Sequence, residues 1–323
     1  MAGVLVFGDV AGGEPTAASL EVAAAGAALA EALGEPLSGA LVGADLAEAS
    51  QQFRGGFACL YLVEGSHYRP YTAQAYLTAA QAVIQACSPS VVLFTHTLET
   101  RDWVPQLAAR LNSGLVMDCT ALASEGGALV VTKPVYGGAV LGEFVVRGAP
   151  RMATLRTRAF TPRPAGFSRE EVTRLEVAAS QPERLVLLEE TAAAAAGTRL
   201  QDAKIIVAGG RGIRGPDNWH FIEEASAALG AAVGCSRPMV DAGWVPSSHQ
   251  IGLSGTSVAP DLYLAVGISG AVQHLAGITA ARVVVAINSD SGADIFTRAN
   301  YGVVGDYREV LPAFIARIKQ LRA

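Results

Sequence analysis

The chain is short of charge, of cysteine and of basic character. Asp, Glu, Lys and Arg make up only 16% of its 323 residues. So little charge cannot coat a large surface, so much of the chain should be interior or subunit interface. The balance is acidic, a formal −5, which argues against a general nucleic-acid binder, because that function needs a basic footprint to neutralise phosphates. Its four cysteines, Cys59, Cys87, Cys119 and Cys235, include no Cys-x-x-Cys pair. That pattern argues against a zinc site or a disulfide frame and for reduced, mostly buried thiols in a cytosolic protein. The opening MAGVLVFGDVAGG has no basic segment ahead of its apolar run and carries Asp9 within it. It reads as a first strand, not a signal peptide.

Apolar residues and glycine are what the chain has in quantity, 51% of the total and 35 residues respectively. From Leu262 to Ala281 there is no Asp, Glu, Lys or Arg at all. By length alone this window could cross a bilayer. Gly267, Gly270, Gly277, Gln273 and His274 interrupt it, and an isolated span would expose their polar groups to lipid. The segment is therefore expected to be interior to a protein that does not span a membrane.

The first half alternates short β-branched runs with alanine-rich stretches. GVLVFGD, ACLYLVEG and SVVLFTHT read as strands; residues 17–33, TAQAYLTAAQAVIQAC and DWVPQLAARLN read as helices. From about residue 115 strands follow one another across Gly-Gly turns, which suggests an antiparallel extension. Residues 161–200, with TPRPAGF and an alanine run, look like a connecting segment. Arg147, Arg151, Arg156, Arg158, Arg163 and Arg169 cluster near it, as a solvated edge or a partner-facing surface. The last 120 or so residues (about two-fifths of the chain) restart the alternation with AKIIVAGG, WHFIEEASAALG, AAVGCSR, DLYLAVGISG, ARVVVAINSD and YGVVGD, then a helix near 309–321. The expected fold is α/β in two domains. Residues 1–200 form a mixed sheet with covering helices, including the connecting segment, and residues 201–323 a doubly wound parallel sheet.

In an open parallel sheet, ligands bind beyond the carboxyl ends of the strands. Here those ends carry Gly209-Gly210-Arg211-Gly212, Cys235-Ser236-Arg237, Gly267-Ile268-Ser269-Gly270, Asn288 and Asp306. Glycines admit close approach, arginines bind phosphate, and an asparagine and a carboxylate suit base and ribose. Each alone has a plain structural reading, as a turn or a surface ion pair; together they suit a dinucleotide. Ser269 is the expected N-cap of a helix running through Val272 and Leu275, which places His274 near the cofactor. The competing reading of His274 is a buried imidazole satisfied by a backbone carbonyl.

The stretches VAGGRGI, GCSRPMVDAGWVPSSHQIGLSGTSVAPDLYLAVGISGAVQHLAG, VVVAINSD and ANYGVVGD resemble, in order, the FAD-binding domain of the electron transfer flavoprotein alpha subunit. RDWVPQLAARLNSGLVMDCTAL and TKPVYGGAVL resemble the family's first domain more loosely. The resemblance implies roles for individual residues. Arg211 helps bind FAD. Ser236 and Arg237 sit at the cofactor, the arginine close to the isoalloxazine. Ile251, Gly252, Leu253 and Ser254 form the loop past the flavin ring, with the Ser254 hydroxyl at N5. Ser269, Gly270, Ala271, Val272, Gln273 and His274 hold the pyrophosphate and ribityl region, with His274 directed at the C2 carbonyl. Asn288 and Asp306 hold the adenosine end. Arg237, Ser254 and His274 are thus the expected flavin-tuning groups. Leu253 and Thr256 depart from the family's glutamine and lysine, so contacts made by those side chains do not carry over.

The implied function is that of a FAD-bound electron carrier, not an enzyme, paired with a beta subunit that holds AMP or a second FAD. Dehydrogenases would supply its electrons and a quinone-linked acceptor would take them. Its expected location is cytoplasmic, or the mitochondrial matrix in a eukaryote. An electron-bifurcating flavoprotein subunit, an NAD(P)-dependent oxidoreductase using the same cleft, and a redox-inactive nucleotide-binding module are the alternatives.

Overall fold

The computed structural model describes residues 3–53, 56–138, 140–162, 171–178, 187–189 and 199–322. The chain forms two compact units, Met1–Pro134 with Leu141–Glu190, and Val135–Val140 with Thr191–Ala323. The first runs β1 (Val4–Gly8), a small ribbon of β2 (Val10–Ala11) and β3 (Glu14–Pro15), α1 (Ala17–Leu33), β4 (Leu37–Gly43), α2 (Ala47–Gln52) and β5 (Cys59–Glu64). It continues through α3 (Ala73–Cys87), β6 (Val91–Thr95), α4 (Leu98–Arg110), β7 (Leu115–Cys119), β8 (Ala121–Glu125), β9 (Ala128–Val135), β10 (Val140–Val146), β11 (Arg151–Leu155) and β12 (Glu171–Arg174).

Seven of these strands make one parallel sheet in the order β12-β5-β4-β1-β6-β11-β7. β1 shows why it is buried on both faces. Val4 and Val6 join the core under α1, while Leu5 and Phe7 join the core under α3 and α4. Side chains alternate along a strand, so a two-sided core demands an unbroken apolar run. The Thr16 hydroxyl caps α1 by accepting from Ser19 N at 3.2 Å, and Gly34 ends it at φ +65°.

The expected antiparallel extension is a separate three-stranded sheet, β10-β9-β8. β7 and β11 both lie in the stretch read as that extension from about residue 115, but the structure puts them in the parallel sheet, β7 at its edge and β11 between β6 and β7. The β11 sequence RMATL is short enough to serve either role, and only the non-local pairing decides. β4 carries no signal stronger than LSGALVG and lies beside β1. Within the segment expected to be a connection, Glu171–Arg174 pairs with β5 as an edge strand. The remainder of its proline and alanine runs, with Arg163 and Arg169, lies outside the described residues. Arg156 is a correction: it is 7% exposed and bonds Asp118 through Nε and Nη2 at 2.7 and 2.6 Å, so it belongs to neither a solvated edge nor a docking face.

The second unit contains β13 (Ile205–Gly209), α5 (His220–Leu229), β14 (Ala232–Cys235), α6 (Arg237–Asp241), β15 (Leu262–Val266), α7 (Val272–Leu275), β16 (Val283–Asn288), α8 (Ile295–Arg298), β17 (Tyr301–Val304) and α9 (Tyr307–Arg322). Its five strands are parallel in the order β14-β13-β15-β16-β17. The two faces differ. Val207, Leu264, Val266 and Ile287 pack with residues of α5 and α9, such as Ile222, Leu229, Leu311 and Ile315. Ile206, Ala208, Tyr263, Ala265, Val284 and Ala286 pack with loop and short-helix residues, among them Ile251, Val258, Ile278 and Ile295. No described helix is long and apolar enough to cross a membrane; the uncharged window becomes β15, α7 and the turn after it.

Candidate functional site

In the second unit the chain passes from β13 to β14 on one side and then to β15 on the other. The loops beyond β13 and β15 therefore diverge, which opens a crevice at the carboxyl ends of the strands. A cavity of about 380 Å³ lies there, lined by Ser236, Arg237, Pro238 and Asp241 after β14, by Gln250 to Ser254, and by Ile268, Ser269, Ala271, Gln273 and His274 after β15. Pockets that take small ligands fall in the range of about 300–1,000 Å³.

The wall is built from backbone. Ile251 N donates to Cys235 O at 2.9 Å, and Leu253 N donates to Gln273 O at 2.7 Å, so the 250–254 loop is tied at both ends. Gly252, at φ +143°, leaves only 2.9 Å between an added Cβ and Gln273 O, and Gly277 meets Gly252 Cα at 2.6 Å in the same way. Side chains at these two positions would push the loop off α7. The Ser254 hydroxyl accepts from Gln250 Nε2 at 3.0 Å, which fixes its place on the wall. Leu253 is 63% exposed. Arg237 pairs with Asp241 at 3.4 Å, with both side chains largely exposed.

Tyr263 lies fully buried on the sheet face that loops and short helices cover, and its hydroxyl needs a partner there. His274 supplies it: Tyr263 Oη is 2.9 Å from Nε2, while Nδ1 is 3.1 Å from Ile251 O. A carbonyl only accepts, so Nδ1 carries the proton and, in the neutral ring, Nε2 accepts from the tyrosine. Burial pushes the imidazole down to about 4, against a smaller upward effect of the Ile251 bond, so the ring is neutral at pH 7. Burial likewise pushes the neighbouring Cys235 thiol up to about 12. The expected donation to a flavin carbonyl needs Nε2–H, and in this structure that nitrogen faces Tyr263.

A second, smaller cavity of about 30 Å³ is lined by Gly212, Arg214, Gly267, Ile287, Asn288, Ser289, Gly305, Asp306, Tyr307 and Arg308. Asn288 Nδ2 donates to Ile268 O at 2.9 Å, and its Oδ1 accepts from Asp290 N at 3.0 Å. The Arg308 guanidinium binds Asp306, with Nη2 to Oδ2 at 2.6 Å, and holds that carboxyl down at about 2.

The structure thus gathers Ser236, Arg237, Ile251, Gly252, Leu253, Ser254, Ser269, Ala271, Gln273 and His274 at one cavity and Asn288 with Asp306 at the other. Arg211, Gly270 and Val272 line neither. Gly270, at φ +89°, lets two backbones meet, since a Cβ there would overlap the backbone of Asp294 and Ile295. Ser269 does not cap a helix as expected. α7 begins at Val272 behind Ala271, without a side-chain cap, and Ser269 O accepts from Ile295 N at 2.9 Å instead. The four-residue helix is too short for periodicity to mark its start. Sequence reasoning also missed Gln250, Tyr263 and Arg308. Tyr263 is hidden in an ordinary strand pattern; Gln250, one residue before the predicted loop, was the more accessible signal.

This donor set fits a FAD. The cavity presents glycine-thinned backbone, the buried hydroxyl-bearing Ser236, the Ser254 hydroxyl, a neutral imidazole and one arginine, while the smaller one presents an amide and a carboxylate suited to an adenosine. Comparison with known proteins agrees. Residues 199–279 match the family model described as electron transfer flavoprotein FAD-binding domain, and residues 4–180 match the electron transfer flavoprotein domain. Electron transfer flavoprotein subunit alpha of Bacillus subtilis (strain 168) is 38% identical over 320 residues, 98% of this chain and 98% of that one. Protein FixB of Clostridium saccharobutylicum is 34% identical over 99% of this chain and 97% of its own. Subunit LctC of the lactate dehydrogenase (NAD(+),ferredoxin) of Acetobacterium woodii is 32% identical over 98% of this chain and 77% of its own.

Proposed function

The chain belongs to the electron transfer flavoprotein family as a FAD-binding alpha subunit, and from that premise we propose how its own residues hold and tune the cofactor. The larger cavity receives the isoalloxazine and the smaller one the adenosine end. When bound, FAD supplies the capacity to take up and release electrons singly or in pairs. Ser254 orients its hydroxyl toward the ring, held by Gln250. Ser236, Ile251, Gly252, Leu253, Ser269, Ala271 and Gln273 form the walls and exclude water. Arg237 adds positive field near the negative charge that reduction creates. His274 acts from its buried seat beside Tyr263. Asn288 and Asp306 hold the adenosine; Asp306 does so by exchanging one of its Arg308 bonds for a ligand hydroxyl. Arg211, Gly270 and Val272 act through the shape of the turns they occupy.

The observation that carries this reading is the convergence of Ser236, Arg237, Ser254, Ser269 and His274, from separate stretches of sequence, on one cavity. The family's alpha subunits pair with a beta subunit. We propose that this chain takes electrons from dehydrogenases and passes them to a quinone-linked acceptor, in a cytoplasmic setting, as a carrier and not as an enzyme. The similarity to LctC favours one second reading, an electron-bifurcating complex with another FAD in the partner. Co-expression with the beta subunit and flavin counting separates the two: one FAD per heterodimer supports the simple carrier, two support bifurcation. A heterodimer that retains no flavin overturns both.

A further inference from the structure

Tyr263 and His274 form a buried pair that can change its charge while both imidazole nitrogens stay hydrogen-bonded. In the neutral ring Nδ1–H donates to Ile251 O and Nε2 accepts from the tyrosine hydroxyl. In the cation both nitrogens carry protons. Ile251 O still accepts one, and rotation of the tyrosine C–O bond presents its oxygen to the other, with no heavy atom displaced. Among the described residues no carboxylate bonds this pair. The charged or titratable groups around it are the Cys235 thiol on β14, Arg237 and Asp241 on α6 lining the same cavity, and Tyr136, exposed on the turn that packs against α7. Arg237 and Asp241 are paired with each other. Negative charge arriving in the cavity would therefore find its nearest neutral, protonatable wall group in His274.

We propose that Tyr263 is a positioning residue for His274: its hydroxyl donates to Nε2 of the neutral ring, then turns to accept from Nε2–H when reduction of bound FAD draws a proton onto that nitrogen. The electrons come from the external donor and stay on the cofactor. The proton comes from solvent, and the Nε2–H bond is the one covalent bond formed on the protein. This inference rests on the placement of FAD beside His274 proposed above.

The test is nitrogen NMR of the histidine-labelled heterodimer, in which the shifts of Nδ1 and Nε2 show which is protonated. Spectra are taken flavin-free, FAD-loaded, and FAD-loaded with dithionite as reductant, across the pH range in which the fold stays intact. In the oxidised wild type Nδ1 should carry the proton and Nε2 should not; on reduction both should. Tyr263→Phe keeps the ring and removes the hydroxyl. The cation then loses its acceptor, so the reduced variant should protonate only at about tenfold higher proton concentration, the equivalent of one buried bond to a charged group. A merely structural tyrosine would change the unfolding midpoint and leave this titration where it was.

A wild type with the proton on Nε2 when oxidised, a ring that stays neutral on reduction, or a Tyr263→Phe variant that titrates like the wild type each overturns the proposal. If that variant does not fold, the two wild-type measurements decide it. FAD that binds without moving either His274 signal would instead refute the placement of the cofactor, while the flavin-free Nε2 shift would still report the Tyr263 bond.

Discussion

The chain builds two parallel sheets, each with a strand whose neighbours follow in opposite directions, and it finishes their carboxyl ends in opposite ways. In the first unit the ends of β1, β6, β7 and β11 are closed by side chains bonding one another. Thr95 donates to Asp9, His96 Nδ1 lies 2.8 Å from Thr154 Oγ1, and Asp118 binds Arg156. In the second unit the ends of β13 and β15 are glycine, and backbone meets backbone: a Cβ on Gly212 would lie 2.7 Å from Gly267 O. A similar switch point therefore carries side-chain bonds across the strand ends in one unit and a glycine-walled cavity in the other. Switch-point geometry provides a place for a ligand, but the residues at the strand ends decide whether it is filled from within.

The sharpest way to break this contrast is to add bulk to the glycine wall. Gly270→Val places a branched side chain where a Cβ alone would overlap the Asp294–Ile295 backbone, at a φ that β-branched residues avoid. A loss of about 4 kcal/mol or more, with no FAD retained, is expected from denaturant unfolding and absorbance. Gly12→Ala in the first unit, at φ +63° with open space around it, should cost only about 1 kcal/mol. Equal costs would mean that the glycines of the second unit are turn formers and nothing more.

The side-chain bonds can be broken from the other side. Asp118→Ala removes both bonds that Asp118 makes to the buried Arg156 guanidinium, and breaking such a pair costs up to about 3 kcal/mol. Asp118 sits at φ +66°, a conformation that alanine adopts less readily than aspartate, which adds to the cost. FAD content should be unchanged, because the residue belongs to the other unit. Flavin lost in proportion to Asp118 substitution would erase the distinction between the two kinds of strand end.

Acid distinguishes the units more gently. The folded-state value of His274, about 4, lies below the ordinary 6.5, so the unfolded chain binds the proton first. Stability of the second unit is then fully present above pH 6.5 and falls, by roughly 2–3 kcal/mol, as the pH drops to 4. In the first unit His96, also near 4 through burial, has the same sign. Asp9, raised to about 6 by desolvation, has the opposite one, since its folded form holds the proton more tightly than the unfolded chain does. Hydrogen exchange, corrected for intrinsic rates, should show β13, β15 and β16 losing protection over this window before β1 and β6. Simultaneous loss in both sheets would contradict the assignment.

Most of this architecture was legible in the sequence, because period and punctuation are local. The observed α1 has the expected limits, and the five strands of the second unit follow the five apolar runs. What was not legible is non-local. Nothing in RMATL says that it slips between β6 and β7. Arg156 looked like one of a surface cluster until Asp118, 38 residues away, was seen beside it. At the site, the glycines, Ser236, Arg237, Ser254 and His274 were readable as residue types at strand ends. The tyrosine that holds His274 was not, because inside an apolar strand a buried tyrosine and a buried phenylalanine leave the same pattern.

The smallest effect tests what an exposed, paired charge can do at the rim of the cavity. Arg237 is about two-thirds exposed and partly neutralised by Asp241, so solvent screens its field over the cavity. An exposed charge of this kind contributes about 0.5–1 kcal/mol, which at ~59 mV per tenfold corresponds to roughly 20–40 mV in a one-electron potential. Arg237→Ala should lower the midpoint by that amount, and high salt should shrink the difference between variant and wild type. The effect of His274→Ala should respond little to salt, because a buried group lies beyond the reach of mobile ions. If the Arg237 effect were large and indifferent to salt, the guanidinium would have to be drawn into the cavity when FAD binds. Its bond to Asp241 would then be the resting position of a group that moves.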